Sequence, residues 1–95
     1  MSDHKIKQRL NRAKKSAARI LEQPAGDYTI LSLNSDIVHL EAIRKKEIRV
    51  IRIVLDEIKK ADIEIVKKLE LPELCTKEIW CKKENERGFV TEVIK

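Results

Sequence analysis

Near the start of the chain, Ile6, Leu10, Ala13, Ala17 and Ile20 recur at steps of four and three, which places them on one stripe of a helix with basic opposite faces. Ser2 or Asp3 fits its N-cap. Gln23, Pro24, Ala25 and Gly26 form its stop, because proline cannot continue the hydrogen-bond ladder and glycine favours a turn. The period then shortens. Residues 28–33 are rich in β-formers and closed by the polar pair Asn34 and Ser35; residues 36–43 and 48–55 read as two further strands around the charged turn Arg44, Lys45, Lys46, Glu47.

With Arg44 opposite Glu47, the hairpin sorts into two faces. One carries Val38, Leu40, Ala42, Ile51, Ile53 and Leu55, with Arg49 near the turn, and is the expected core face. The other mixes Ile37, His39, Glu41, Ile43, Ile48, Val50, Arg52 and Val54, as suits partial cover by a helix or an exposed surface. Residues 62–69, with Ile65, Val66 and Leu69 on one side and Pro72 beyond, predict a second helix. Residues 78–82 and 89–94 predict two last strands around a turn at Glu84, Asn85, Glu86, Arg87 and Gly88. The expected order is helix, three strands, helix, two strands: one small α/β domain over residues 1–95 with a mixed sheet, and no repeat or linker.

Composition narrows the core. Charged residues make up 39% of the chain and aromatics 3%, so the interior must be built from Ile, Leu and Val. No apolar run approaches the roughly 20 residues of a membrane span, and the N-terminus is charged where a signal peptide would be apolar, so a cytoplasmic protein is expected. Cys75 and Cys81 are too few for a disulfide scaffold and match no common zinc spacing, which favours two reduced thiols.

The net charge of +5 is localised. Of 21 bases and 16 acids, seven bases and two acids lie within Met1–Glu22, and the rest of the chain balances to zero. Cations at Lys5, Arg9, Arg12, Lys15 and Arg19 would release counterions on meeting a phosphate backbone, which makes the first helix the candidate surface for DNA or another nucleic acid. A charged helix is more often just a solvated face. The segment has no interleaved aromatics for stacking on bases, and its alanine-rich stripe gives poor support for membrane binding.

In the hairpin register His39 lies opposite Arg52, with Glu41 diagonal; this is either a cross-strand charge pairing or an acid/base pair lacking a third group to orient it. Trp80 points away from Ile79 and Cys81, as a cover for the sheet edge rather than a stacking platform. The chain has no phosphate-cradling glycine loop, no Ser/His/Asp order and no nucleophilic cysteine motif.

A basic first helix, a central hairpin, Ser35-Asp36 opening the second strand and Glu57-Ile58-Lys59 after the third together resemble the core of the restriction-endonuclease-like PD-(D/E)xK nucleases. In that superfamily an Asp opens the second core strand, and a Glu-x-Lys triplet ends the third, across the hairpin. The resemblance implies a small metal-dependent DNA nuclease in which Asp36 and Glu57 ligate Mg²⁺ and Lys59 activates or positions the attacking water. Ser35 stands where the family has Pro. The triplet falls where the strand is giving out. A register that instead put Val50 and Arg52 at the Glu and Lys positions would make the chain a non-catalytic relative. The alternative role of Glu57-Ile58-Lys59 is a solvated lead into the second helix. Three functions remain open: a nuclease, active or decayed; a nucleic-acid-binding module without chemistry; and a protein-interaction subunit, such as a homodimer, using the first helix or the last strand's edge.

Overall fold

Ala13, Ala17 and Leu21 are the residues through which helix α1 (Asp3–Glu22) meets the sheet, and each is almost wholly buried. Small side chains at two of the three contact points let the helix backbone lie close to the strands. Ile20, expected on the apolar stripe, is instead 42% exposed, because Leu21 is the next residue one helical turn beyond Ala17 on the buried line. The computed structural model describes residues 3–22, 28–33 and 35–95, residue 3 without its side chain. The expected side-chain N-cap at Ser2 or Asp3, the stop at Gln23–Gly26 and Asn34 of the polar turn lie outside the described residues.

The remaining elements are β1 (Thr29–Ser32), β2 (Leu40–Arg44), β3 (Glu47–Leu55), α2 (Lys60–Lys67), β4 (Cys75–Lys82) and β5 (Val90–Ile94). They form the expected order and a single five-stranded mixed sheet in which spatial order follows sequence order. All neighbouring strands are antiparallel except β3 and β4, which run parallel and are joined by α2.

The hairpin register agrees with the sequence: Arg44 pairs with Glu47, Ala42 with Arg49 and Leu40 with Ile51. Alternation along β3 sends Ile51 and Ile53 to one face, where they join Leu40, Ala42, Trp80 and the buried line of α1. It sends Val54 to the other face, where Val66 of α2 packs against Ile79, Cys81 and Ile94. The two helices therefore cover opposite faces, and each buried Ile or Leu contributes about 1.5–3 kcal/mol to holding them there. No helix among the described residues is long and apolar enough to cross a membrane. Both cysteines are free thiols.

Several boundaries differ from the sequence pattern, and three element starts move by two residues or more. Strand β2 begins at Leu40 and not at Asp36. Residues Ser35 to Ile37 turn back on themselves, with the Ile37 N–H on Ser35 Oγ at 3.1 Å, and the Arg52 guanidinium holds the carbonyls of Asp36 and Ile37 out of the ladder at 2.7 Å each. Helix α2 begins at Lys60 and not at Asp62, because the Asp62 carboxylate accepts the Lys59 N–H at 3.0 Å and starts the helix two residues early. Strand β4 begins at Cys75 and not at Glu78, because residues 75–77 pair in parallel with Ile48, Arg49 and Val50. Lys77 also reaches back to the carbonyls of Lys67 and Leu69 beyond the last turn of α2, at 3.2 Å each.

On the α1 face, near the β2–β3 turn, polar groups replace aliphatic packing. Arg49 grips Glu78 through two hydrogen bonds of 2.7 and 2.6 Å, and Glu78 also accepts from Trp80 Nε1 and Thr76 Oγ1 at 3.1 Å. Arg44 and Arg49 approach the Tyr28 ring at 4.5 and 5.2 Å, while the Tyr28 hydroxyl donates to Glu47 at 2.7 Å. Trp80 is buried against Phe89, with ring centroids 5.4 Å apart, so it is a core residue rather than an edge cover.

Candidate functional site

Where β3 ends, a cavity of about 350 Å³ opens between the start of α1, the segment before β2 and the segment leading to α2. Its walls include Asp36, Glu57 and Lys59, so the three residues of the suspected metal site do share one concavity. The same walls hold His39, Arg52 and Asp62.

Arg52 dominates the geometry. It projects from β3 opposite the helix α1 side, and is 15% exposed at its side chain. Its Nε donates to Asp62 Oδ1 at 3.1 Å, and its Nη1 donates to the carbonyls of Asp36 and Ile37. The other oxygen of Asp62 is occupied by the Lys59 N–H. Asp62, only 13% exposed, has thus both oxygens committed within the protein. Asp36 contributes its backbone carbonyl to this arrangement, and its carboxylate stays at the exposed rim with Glu57 and Lys59.

Asp36 and Glu57 are the two acids on these walls that no guanidinium engages. A hard divalent cation requires converging carboxylate oxygens. Among the described residues, no three His, Cys, Asp or Glu side chains are grouped to hold a metal. The third carboxylate on the walls, that of Asp62, is already bound to the Arg52 guanidinium. Each further unit of positive charge brought within about 4 Å of that guanidinium costs about 4 kcal/mol at an effective dielectric of 20.

His39 closes the back of the cavity and is 6% exposed. Its backbone N–H donates to the Ile51 carbonyl at 2.8 Å, while its ring Nδ1 accepts the Ile53 N–H, also at 2.8 Å. Accepting at Nδ1 places the ring proton on Nε2. Burial, with Lys14 and Arg52 adding to it, pushes the imidazole down to about 4, and Asp36 opposes them only in part. His39 is therefore neutral at pH 7. The expected pairing of His39, Arg52 and Glu41 gives way to two separate attachments, His39 to the β3 backbone and Arg52 to Asp62.

The basic residues of α1 divide into one tether and several open charges. Arg9 is bound to Asp56 through two hydrogen bonds of 3.2 and 2.8 Å, joining α1 to the turn that follows β3. The pair holds the Asp56 carboxyl below its usual range. Lys5, Arg12, Lys15 and Arg19 are exposed. Arg12 and Ser16 line one flank of the helix, facing Lys82 and Lys83, while Lys14 and Lys15 line a smaller hollow on the other flank beside Ile30 and Ser32.

Asp62 and Asp56 were not among the residues that the sequence singled out for the site, and Arg52 entered it only as the cross-strand neighbour of His39 and as the residue at the Lys position of the alternative register. One signal pointed to Arg52: a base set within the aliphatic run of β3, whose buried neighbours demand a counter-charge. Nothing local pointed to Asp56, whose partner lies 47 residues away. No protein-family model, curated protein or solved structure matches this chain.

Proposed function

We propose that this chain is a nucleic-acid-binding domain on a nuclease-like frame whose hydrolytic centre has been lost. The observation that carries this is Arg52. The resemblance drawn from the sequence asks for a divalent cation at the end of the hairpin, and a fixed guanidinium bound to Asp62 and to the Asp36 and Ile37 carbonyls supplies positive charge there instead. His39, just before β2 opens at Leu40, spends its Nδ1 on the backbone, which supports the loss of a metal-binding group at that end of the strand.

Binding would rest on the exposed bases of α1, with affinity drawn mainly from neutralised phosphates. A cytoplasmic setting, where Cys75 and Cys81 stay reduced, accords with the two free thiols.

The test is to incubate the protein with linear and supercoiled DNA in Mg²⁺ or Mn²⁺ while measuring binding against salt. The expected result is metal-independent binding that weakens steeply with salt, without cleavage, and unchanged in Asp36→Ala and Glu57→Ala. Metal-dependent cleavage lost in both variants would reinstate Asp36 and Glu57 as ligands and Lys59 as the catalytic lysine. Absence of binding to any nucleic acid at low salt would leave the interaction-subunit role, for which the exposed Val90 and Val93 on edge strand β5 offer a surface.

A further inference from the structure

On the other side of the Arg9–Asp56 bridge lies a second concavity, of about 400 Å³, between α1 and the connection from β4 to β5. Arg12 and Ser16 approach it from the helix, and Lys82, Lys83, Glu84 and Asn85 from the end of β4. Leu55 and Ala13 add apolar surface to its walls.

The charges in this cleft are not balanced internally. Asp56 offsets Arg9, and Lys82 spends its ammonium on the Glu86 carbonyl, a neutral acceptor. Arg12 and Lys83 have no hydrogen-bond or ion-pair partner among the described residues, and the one remaining acid on the walls is Glu84. Several bases gathered at one concave surface repel one another, and an anion seated among them removes that cost. At the turn, Asn85 has φ of 64°, a left-handed conformation that asparagine tolerates, and it lines the cleft with Lys82 and Lys83.

We propose that this cleft is a phosphodiester-binding site, in which Arg12 and Lys83 hold successive or bridging phosphate oxygens of a nucleic-acid strand and Ser16 and Asn85 supply neutral hydrogen bonds. The site deepens the nucleic-acid function proposed above and rests on it. It also moves the contact surface: the strand is gripped between a helix and a β-turn, rather than by the outer face of α1 alone. A guanidinium suits this position because its planar fork can engage two phosphate oxygens at once.

The test compares the salt dependence of a short labelled DNA duplex binding to the unaltered protein, to the double variant Arg12→Ala/Lys83→Ala, and to Lys45→Gln/Lys46→Gln in the hairpin turn, which removes the same formal charge elsewhere. Loss of the two cleft cations is expected to lower the slope of log affinity against log salt by about two, and to weaken binding by roughly tenfold per contact near 0.1 M salt. The hairpin variant should bind as the unaltered protein does. Amide signals of Ser16, Lys83 and Asn85 should move on adding the duplex. If the unaltered protein binds DNA but the cleft variant keeps its affinity and slope, or the hairpin variant loses as much, the cleft proposal is overturned and the general nucleic-acid function survives. If the unaltered protein binds no nucleic acid, both fall together.

Discussion

The imidazole of His39 takes the place of a backbone carbonyl: its Nδ1 accepts the Ile53 N–H at 2.8 Å, where an unbroken antiparallel ladder would offer a main-chain oxygen. The side chain thereby repairs the ladder at the point where Arg52 has pulled the preceding segment away.

This bond requires a neutral ring, so stability should depend on pH. The folded-state value of about 4 lies below the ordinary 6.5, so the unfolded chain takes up a proton first as pH falls. The contribution is complete above pH 6.5 and is lost progressively between 6.5 and about 4, a change on the order of 3 kcal/mol. His39→Asn, which keeps an acceptor but does not titrate, should flatten urea midpoints across that window. His39→Leu should lose about 1–3 kcal/mol at pH 7 by orphaning the Ile53 N–H. An equal pH slope in the asparagine variant would assign the acid sensitivity to other groups.

Removing Arg52 strands more than one partner. Arg52→Ala leaves the Asp62 carboxylate and two carbonyls without their donor, and should cost about 3 kcal/mol in chemical denaturation. Asp62→Ala should cost less, because the Arg52 guanidinium retains both carbonyls. Equal losses would mean that the two carbonyl contacts contribute no more than the Lys59 cap that Asp62→Ala also removes.

Glu78 offers a second acid-sensitive element. Burial pushes its carboxyl up, but Arg49, Trp80 and Thr76 together outweigh this and hold it below the ordinary 4.5. A depressed carboxylate contributes fully above its unfolded value and is lost as pH falls through its folded one, so this contribution begins to fall below about pH 4.5. Glu78→Gln should cost about 3 kcal/mol at pH 7, because Arg49 then lacks its counter-charge, and should shift the emission of Trp80. Retention of both midpoint and emission would exclude a central role for the network.

Asp56 is more exposed than Arg9, and exposed pairs contribute little. Asp56→Asn should therefore change the urea midpoint only slightly, since asparagine tolerates the left-handed φ of 69° found there. The substitution releases Arg9 beside the cleft and removes a negative charge, so DNA affinity should rise severalfold at low salt and the gain should fade as salt increases. A fall in affinity would instead make the bridge part of the binding surface.

Much of the frame was legible from residue pattern because its determinants are local. The turn from Arg44 to Glu47 fixes the hairpin register, and the alternation of Leu40, Ala42, Ile51 and Ile53 then fixes the face. The candidate site was legible only in outline. Asp36, Glu57 and Lys59 do meet at one cavity, but what stands among them depends on Arg52 reaching across to Asp62 and to the segment before β2. That reach is a tertiary event with no periodic signature. The start of β4 escaped for a similar reason, since Cys75 to Lys77 become strand only by pairing with β3 on the far side of α2.

The agreement between spatial and sequence order in the sheet bears on how the chain reaches its native state. Each strand meets the one before it, so most loops that must close during folding are short and cost little entropy. The exception is the docking of α1 onto β3, across some of the longest separations in the fold. The hairpin and the β3–α2–β4 unit should form early, with the basic helix settling last. Core substitutions at Ala17 should accelerate unfolding while leaving the refolding rate almost unchanged, whereas those at Ile51 should slow refolding, as followed by the single tryptophan in stopped-flow mixing.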